Sequence, residues 1–232
     1  MLQRRAWTEL GGGDFGWLKA KHHISFAGHG VPDHGPLGAL IVWNDDEIAP
    51  GTGFPLHRHE NVEIITYVRQ GIVAHEDDRG NAGLVEAGDV QVISAGTGIR
   101  HAEFNPGREP LKIFQIWLRP REPGGKPRWE TRPFPKTGQS GRLVVLASGF
   151  WEDKGALSIR TDARVLGSVL ATGDKVIHSL ATGRHAYLAL AAGAATVNGK
   201  RLNCGDGVAV ADEPNVEINA LQPSELVLVD TA

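Results

Sequence analysis

The chain carries one strand pattern twice, which restricts its fold more than any other feature of its 232 residues. YVRQG and EAGDVQVIS in the first half return as YLALAAG and NCGDGVAVA in the second, in the same order and with the same Gly-Asp turn. Order kept over that distance marks an internal duplication. Short apolar runs rich in Val, Ile, Tyr and Thr occupy residues 38–43, 62–69, 72–76, 82–86, 90–94, 101–104 and 111–118. DDRGN, AGD and NPGREP separate several of them, and none sustains a 3.6-residue apolar period, so the spacing predicts strands joined by tight turns. A second series runs from ARVLGSVLA to SELVLVD and contains Asn198-Gly199, a hairpin signal. The expected fold is all-β, as antiparallel barrels arising from the duplication. Residues 1–120 form one lobe and 142–232 the other, with the Pro-, Gly- and charge-rich segment 121–141 as linker.

Composition narrows the function. A formal charge of -3 without a long Lys/Arg block gives no electrostatic basis for direct nucleic-acid binding. The lone Cys204 excludes an internal disulfide framework and a multi-cysteine zinc site, and it fits a reducing compartment. The N-terminal arginines precede no apolar stretch of the secretory kind, and no uncharged apolar run approaches the ~20 residues of a membrane span. A cytoplasmic protein without a membrane partner is expected.

Two residue pairs stand out, His57 with His59 and His101 with Glu103. In an extended strand, i and i+2 share a face about 6–7 Å apart along the backbone, the spacing of chelating pairs. Three imidazoles and one carboxylate on facing strands suit Fe, Mn, Ni, Cu or Co better than a closed structural zinc site, and an octahedral ion would keep two positions open. Glu63, four residues after His59, is expected on that same face, orienting an imidazole from behind or ligating directly. The duplication argues for one metal per chain: ungapped alignment on Gly71/Gly193 and Asp89/Asp206 sets Ser179, Ala181, Ile218 and Ala220 against the four candidates.

The remaining histidines carry weaker signals. His75 precedes Glu76-Asp77-Asp78 and reads as part of a solvated hairpin tip. His22, His23, His29 and His34 are expected to cap or line the lobe interface, and His178 and His185 to be ordinary strand residues. The tryptophans read as core and interface packing. No GxSxG elbow and no phosphate-binding glycine loop occurs, which argues against a serine hydrolase and against nucleotide binding.

Gly51, His57, His59, Glu63 and Gly71, followed by Gly88, Ser94, Gly96, His101 and Asn105, resemble the two motifs of the cupin superfamily. ITYVRQG, HEDDRGNAG, GDVQ, SAGTGIRHAEFN and FQIWLRP are similar, more narrowly, to the pirin family, as is WLKAKHHISFA near the start. The resemblance implies a bicupin, two double-stranded β-helix barrels packed face to face. It implies one divalent ion, iron in the family, on His57, His59, His101 and Glu103. It further implies a quercetin 2,3-dioxygenase activity on a small aromatic substrate and dioxygen, with Glu103 as general base. Zinc, nickel, copper, cobalt or manganese could replace iron. Two other roles follow from the same resemblance: a metal-dependent regulator of a transcription factor or metabolic enzyme, as among animal pirins, and another small-molecule cupin enzyme.

Overall fold

The computed structural model describes residues 1–134 and 141–232. Apart from one 3-10 turn, Trp7–Glu9, the regular structure among the described residues is β, arranged as a seven-stranded and a four-stranded sheet in each half. In the N-terminal lobe the large sheet runs in the order Arg128–Pro133, Asp89–Ser94, Glu63–Gln70, Leu111–Leu118, Leu40–Ile48, Leu18–Ile24 and Gly11–Asp14. The small sheet runs Gly53–His59, Ile99–Phe104, Ile72–Asp77 and Ala82–Glu86. The C-terminal lobe repeats this plan. Its large sheet is Leu2–Arg5, Gly207–Ala211, His185–Ala192, Ser224–Thr231, Ala163–Leu170, Val144–Ser148 and Leu157–Ser158; its small sheet is Lys175–Ser179, Asn215–Ala220, Ala194–Val197 and Lys200–Asn203.

Strand alternation builds two kinds of core. Ile65, Tyr67, Val90, Val92, Phe114 and Ile116 point from the N-terminal large sheet onto Val165, Tyr187, Ala189, Val227 and Val229 of the C-terminal one. That cluster packs the lobes face to face. Residues of the opposite parity fill each barrel: Leu188, Val197, Val208, Val216, Ile218 and Leu228 form one continuous apolar core in the C-terminal lobe. In the N-terminal lobe the barrel core is divided. Val68, Val73, Val85 and Ile113 belong to one cluster, Ile64, Ile93 and Ile99 to another, and the buried polar residues Asp46, Thr66, His75, Gln91, His101, Glu103 and Gln115 belong to neither.

Two strands cross the boundaries expected from the sequence. Leu2–Arg5, at the start of the supposed first lobe, pairs antiparallel with Gly207–Ala211 in the second. Within the supposed linker, Arg128–Pro133 is a strand on Asp89–Ser94 of the first lobe. Each large sheet thus receives an edge strand from chain outside its own repeat, which covers N–H and C=O groups that would otherwise be free. Residues 135–140 of the expected linker lie outside the described residues.

Candidate metal centre

The small N-terminal sheet carries the histidines. Ile99–Phe104 lies between Gly53–His59 and Ile72–Asp77, with His101 opposite both His57 and Asp77, and Glu103 opposite His75. The register with Gly53–His59 slips between His101 and Glu103, because Glu103 pairs with Phe54 and two residues, Pro55 and Leu56, face Ala102 alone. Proline has no N–H to give a ladder, so a bulge there forfeits little. The freed Pro55 carbonyl accepts a hydrogen bond from His57 Nδ1 at 2.7 Å, which leaves Nε2 of that ring as the lone pair.

Three imidazoles converge. Ring centroids are 4.7 Å apart for His57 and His59, 4.4 Å for His57 and His101, and 5.1 Å for His59 and His101, and their ligand atoms lie within 4.8 Å of one another. His101 is buried, and neither of its ring nitrogens has a hydrogen-bond partner. Burial, followed by the neighbouring His57, His59 and His75 rings, pushes its pKa down to about 2. Burial and His57 push His59 down to about 4. Both rings are therefore neutral at physiological pH, the form that ligates metal. His57 and His59 are half-buried, so the cluster opens to the surface on their side.

Glu103 sits behind His101 under a clamp. Gln91 Nε2 donates to its Oε1, and Gln115 Nε2 donates to its Oε2 at 2.8 Å. Two indoles orient the two amides: Trp129 Nε1 donates to Gln91 Oε1 at 2.9 Å and Trp117 Nε1 to Gln115 Oε1 at 3.2 Å. With each amide oxygen occupied, each NH2 must face the carboxylate. Burial raises Glu103 to about 7 despite donors at Gln91, Gln115 and Thr66. Asp46 nearby is raised to about 8 by burial, then by Asp45 and Glu103, and its Oδ1 has no partner. Among the described residues no lysine or arginine pairs with Asp46 or Glu103, although buried carboxylates ordinarily require a cation. Neutral imidazoles without partners and carboxyls without a counter-charge fit a divalent ion.

The structure alters four expectations. Glu63 turns away: Asn61, at φ 54°, interrupts the strand after His59, so the i+4 spacing does not hold the face. Glu63 shares its parity with Ile65 and Tyr67, accepts from Ser94 Oγ at 2.6 Å, and has Arg128 and Arg160 as nearby charges. His75 is 3% exposed and inward-facing, two residues short of the hairpin tip. Trp117 and Trp129 reach the site rather than merely packing. Strand pairing also shifts the repeat alignment. Val197 stands where His75 does, its partner Ile218 matches Glu103, Val216 matches His101, and His178, opposite Val216, matches His57. Leu180 then matches His59. His178 hydrogen-bonds Asp230 at 2.8 Å through Nε2, and apolar residues hold the other three places. Of the N-terminal histidines, His23 does line the lobe interface, its Nδ1 2.9 Å from Tyr187 Oη.

Sequence reasoning missed Thr66, Gln91, Gln115, Asp46 and Asp77. The signal was present in the duplication: the same two alignments place Leu188 against Thr66 and Val208 against Gln91. Polar residues at barrel-facing positions whose repeat counterparts are apolar mark the functional lobe.

Comparison with known proteins finds relatives along the whole chain. The pirin family profile matches residues 4–118, and that of the quercetinase C-terminal cupin domain matches residues 145–231. A pirin-like protein of Caulobacter vibrioides is 56% identical over the full length of both chains. A quercetin 2,3-dioxygenase of Escherichia coli is 38% identical over 231 residues, covering 99% of this chain and 98% of its own. The crystal structure of a bacterial pirin from Escherichia coli in complex with nickel(II) superposes with a TM-score of 0.92 at 37% identity, covering 100% of this chain and 99% of the other.

Proposed function

The chain belongs to the pirin family, and from that membership we propose that it is a metal-dependent dioxygenase that cleaves a flavonol such as quercetin with dioxygen. The observation that carries the proposal is His101, buried between His57 and His59 with both nitrogens unpartnered. The name borne by the Escherichia coli relative supports the substrate class. His57, His59, His101 and Glu103 would hold one ion, which we take to be Fe(II). When bound, such an ion supplies positive charge that favours the ionised form of a substrate hydroxyl and a meeting point for dioxygen.

The protein's own groups then have defined tasks. The half-buried side at His57 and His59 admits the flavonol. Trp117, edge-on to His59 at 4.8 Å, and Phe54, 6.2 Å from His57, exclude water beside them. Glu103 accepts the proton of the flavonol 3-hydroxyl, and the Gln91 and Gln115 amides keep its oxygens in place. One flavonol and one dioxygen give a ring-opened ester and carbon monoxide, so no external reductant is needed. The exposed lone thiol, Cys204, suits the reducing cytoplasm in which we place the protein.

The test is oxygen uptake with carbon monoxide release from quercetin, by chains fully loaded with iron, manganese, nickel or copper. Turnover that vanishes in His101→Leu is expected. No turnover with any metal at full loading would overturn the flavonol reading.

A second reading, a regulator with a protein partner, is favoured by one feature. Leu56, Leu84 and Phe104, 50%, 59% and 44% exposed, share the outer face of the sheet whose inner face bears the histidines. Leu84→Ser leaves turnover unchanged under the enzymatic reading and weakens partner capture under the regulatory one.

A further inference from the structure

On the inner side of His101 a second trio meets. The ligand atoms of His75, His101 and Glu103 lie within 4.8 Å of one another, and all three residues are buried. His75 Nδ1 has no hydrogen-bond partner, while Nε2 faces Asp77 Oδ2 at 3.2 Å. The hairpin that follows fixes Asp77: the backbone N–H groups of Arg79 and Asn81 donate to Oδ1 at 2.9 and 3.0 Å, and Asn81 Nδ2 donates to Oδ2 at 2.8 Å. A carboxylate held in this way keeps the proton on Nε2 and leaves the Nδ1 lone pair free, the arrangement that orients metal-binding histidines. The ring plane is fixed as well. Trp129 stacks on it at 4.8 Å and 5°, passing so close to the neighbouring strand that a Cβ at Gly83 would fall 2.6 Å from the indole.

We propose that His75, His101 and Glu103 form a second, inner seat for the divalent ion, alternative to the outer seat on His57, His59, His101 and Glu103 and sharing His101 and Glu103 with it. The proposal rests on reading the cluster as a metal centre, and not on the flavonol reaction. A neutral imidazole has one lone pair, so His101 serves one seat at a time and the two exclude each other. With neither ring nitrogen hydrogen-bonded elsewhere, His101 can present either one by changing tautomer. One ion per chain follows, held with His101 and Glu103 either by His57 and His59 at the half-buried opening or by His75 behind it.

Co(II) titration of the full chain tests this, with folding checked by circular dichroism. In His57→Ala/His59→Ala the inner trio remains, and one Co(II) per chain still binds. Adding His75→Phe, which keeps the ring stacked on Trp129 but removes both nitrogens, weakens that binding by at least about tenfold. X-ray absorption of the Co(II)-loaded double variant counts two imidazoles, His75 and His101. A folded double variant that binds no Co(II), equal affinity with and without His75, or a single imidazole at the ion would each overturn the inner seat. None of these readouts depends on turnover, so failure of the flavonol reaction leaves them unaffected.

Discussion

His101 occupies a barrel-facing position that Val216 holds in the other lobe, and it buries two ring nitrogens that bond to nothing. An unsatisfied buried polar group costs about 1–3 kcal/mol. His101→Leu is therefore expected to stabilise the metal-free protein by about 1 kcal/mol while abolishing metal binding, a trade read by thermal melting beside metal titration. Gln115→Leu installs the residue of the repeat counterpart, Leu228. It strips Glu103 Oε2 and the Trp117 indole of their partner, so metal affinity should fall about ten- to hundredfold, measured by chelator competition. At this scale the sequence was partly legible. Period-2 spacing was enough to pick out His57, His59, His101 and Glu103, and the structure brings the three histidines together. Glu63 was misjudged because a left-handed Asn61 breaks the parity that its spacing assumed. His75 was misjudged because acidic neighbours suggest solvent, whereas only alternate residues of a strand face it.

Among the elements, the first strand binds the lobes together. Arg5 is 3% exposed; its guanidinium donates to the carbonyls of His23 and His34 and lies over the Tyr187 ring at 5.1 Å. Arg5→Ala takes this donor from both carbonyls, of which that of His34 keeps the Ser25 N–H at 2.7 Å, and a loss of about 2–4 kcal/mol is expected in denaturant unfolding. Facing it, Gly207 is irreplaceable on space alone: a Cβ would fall 2.2 Å from Tyr187 Oη and 2.7 Å from His23 Nδ1. Gly207→Ala should cost about 2 kcal/mol or more through overpacking. Runs such as 82–86 and 111–118 were legible to the residue, because alternating apolar positions bounded by turn residues specify a strand locally. Leu2–Arg5 and Arg128–Pro133 were not. Their sequences, LQRR and RWETRP, lack alternation, and pairing with a distant edge makes them strands.

For the whole molecule, the two barrels share a plan and differ in what fills them. Leu188, Val208, Ile218 and Leu228 replace Thr66, Gln91, Glu103 and Gln115. A buried aliphatic side chain contributes about 1.5–3 kcal/mol, whereas a satisfied buried hydrogen bond nets about 1. The polar layer thus costs stability, which a chemical role in the N-terminal lobe explains and a purely structural one does not. The lobe interface adds a pH response. His23 is held at about 3, first by burial and then by Arg5, Arg69 and His34, against about 6.5 in the unfolded chain. The unfolded state then binds the extra proton, so this stability is full above pH 6.5 and declines as pH falls towards 3. At pH 5 the loss is about 2 kcal/mol, and the wild-type melting curve should be more acid-sensitive than that of His23→Gln by that amount.

The most direct test of the central claim, a single metal centre confined to the N-terminal barrel, is the stoichiometry of tightly bound divalent metal in three proteins: wild type, His101→Leu and His178→Leu. One ion per chain in wild type and in His178→Leu, with none retained by His101→Leu, is the predicted result. Two ions per wild-type chain, or undiminished binding in His101→Leu, would contradict it.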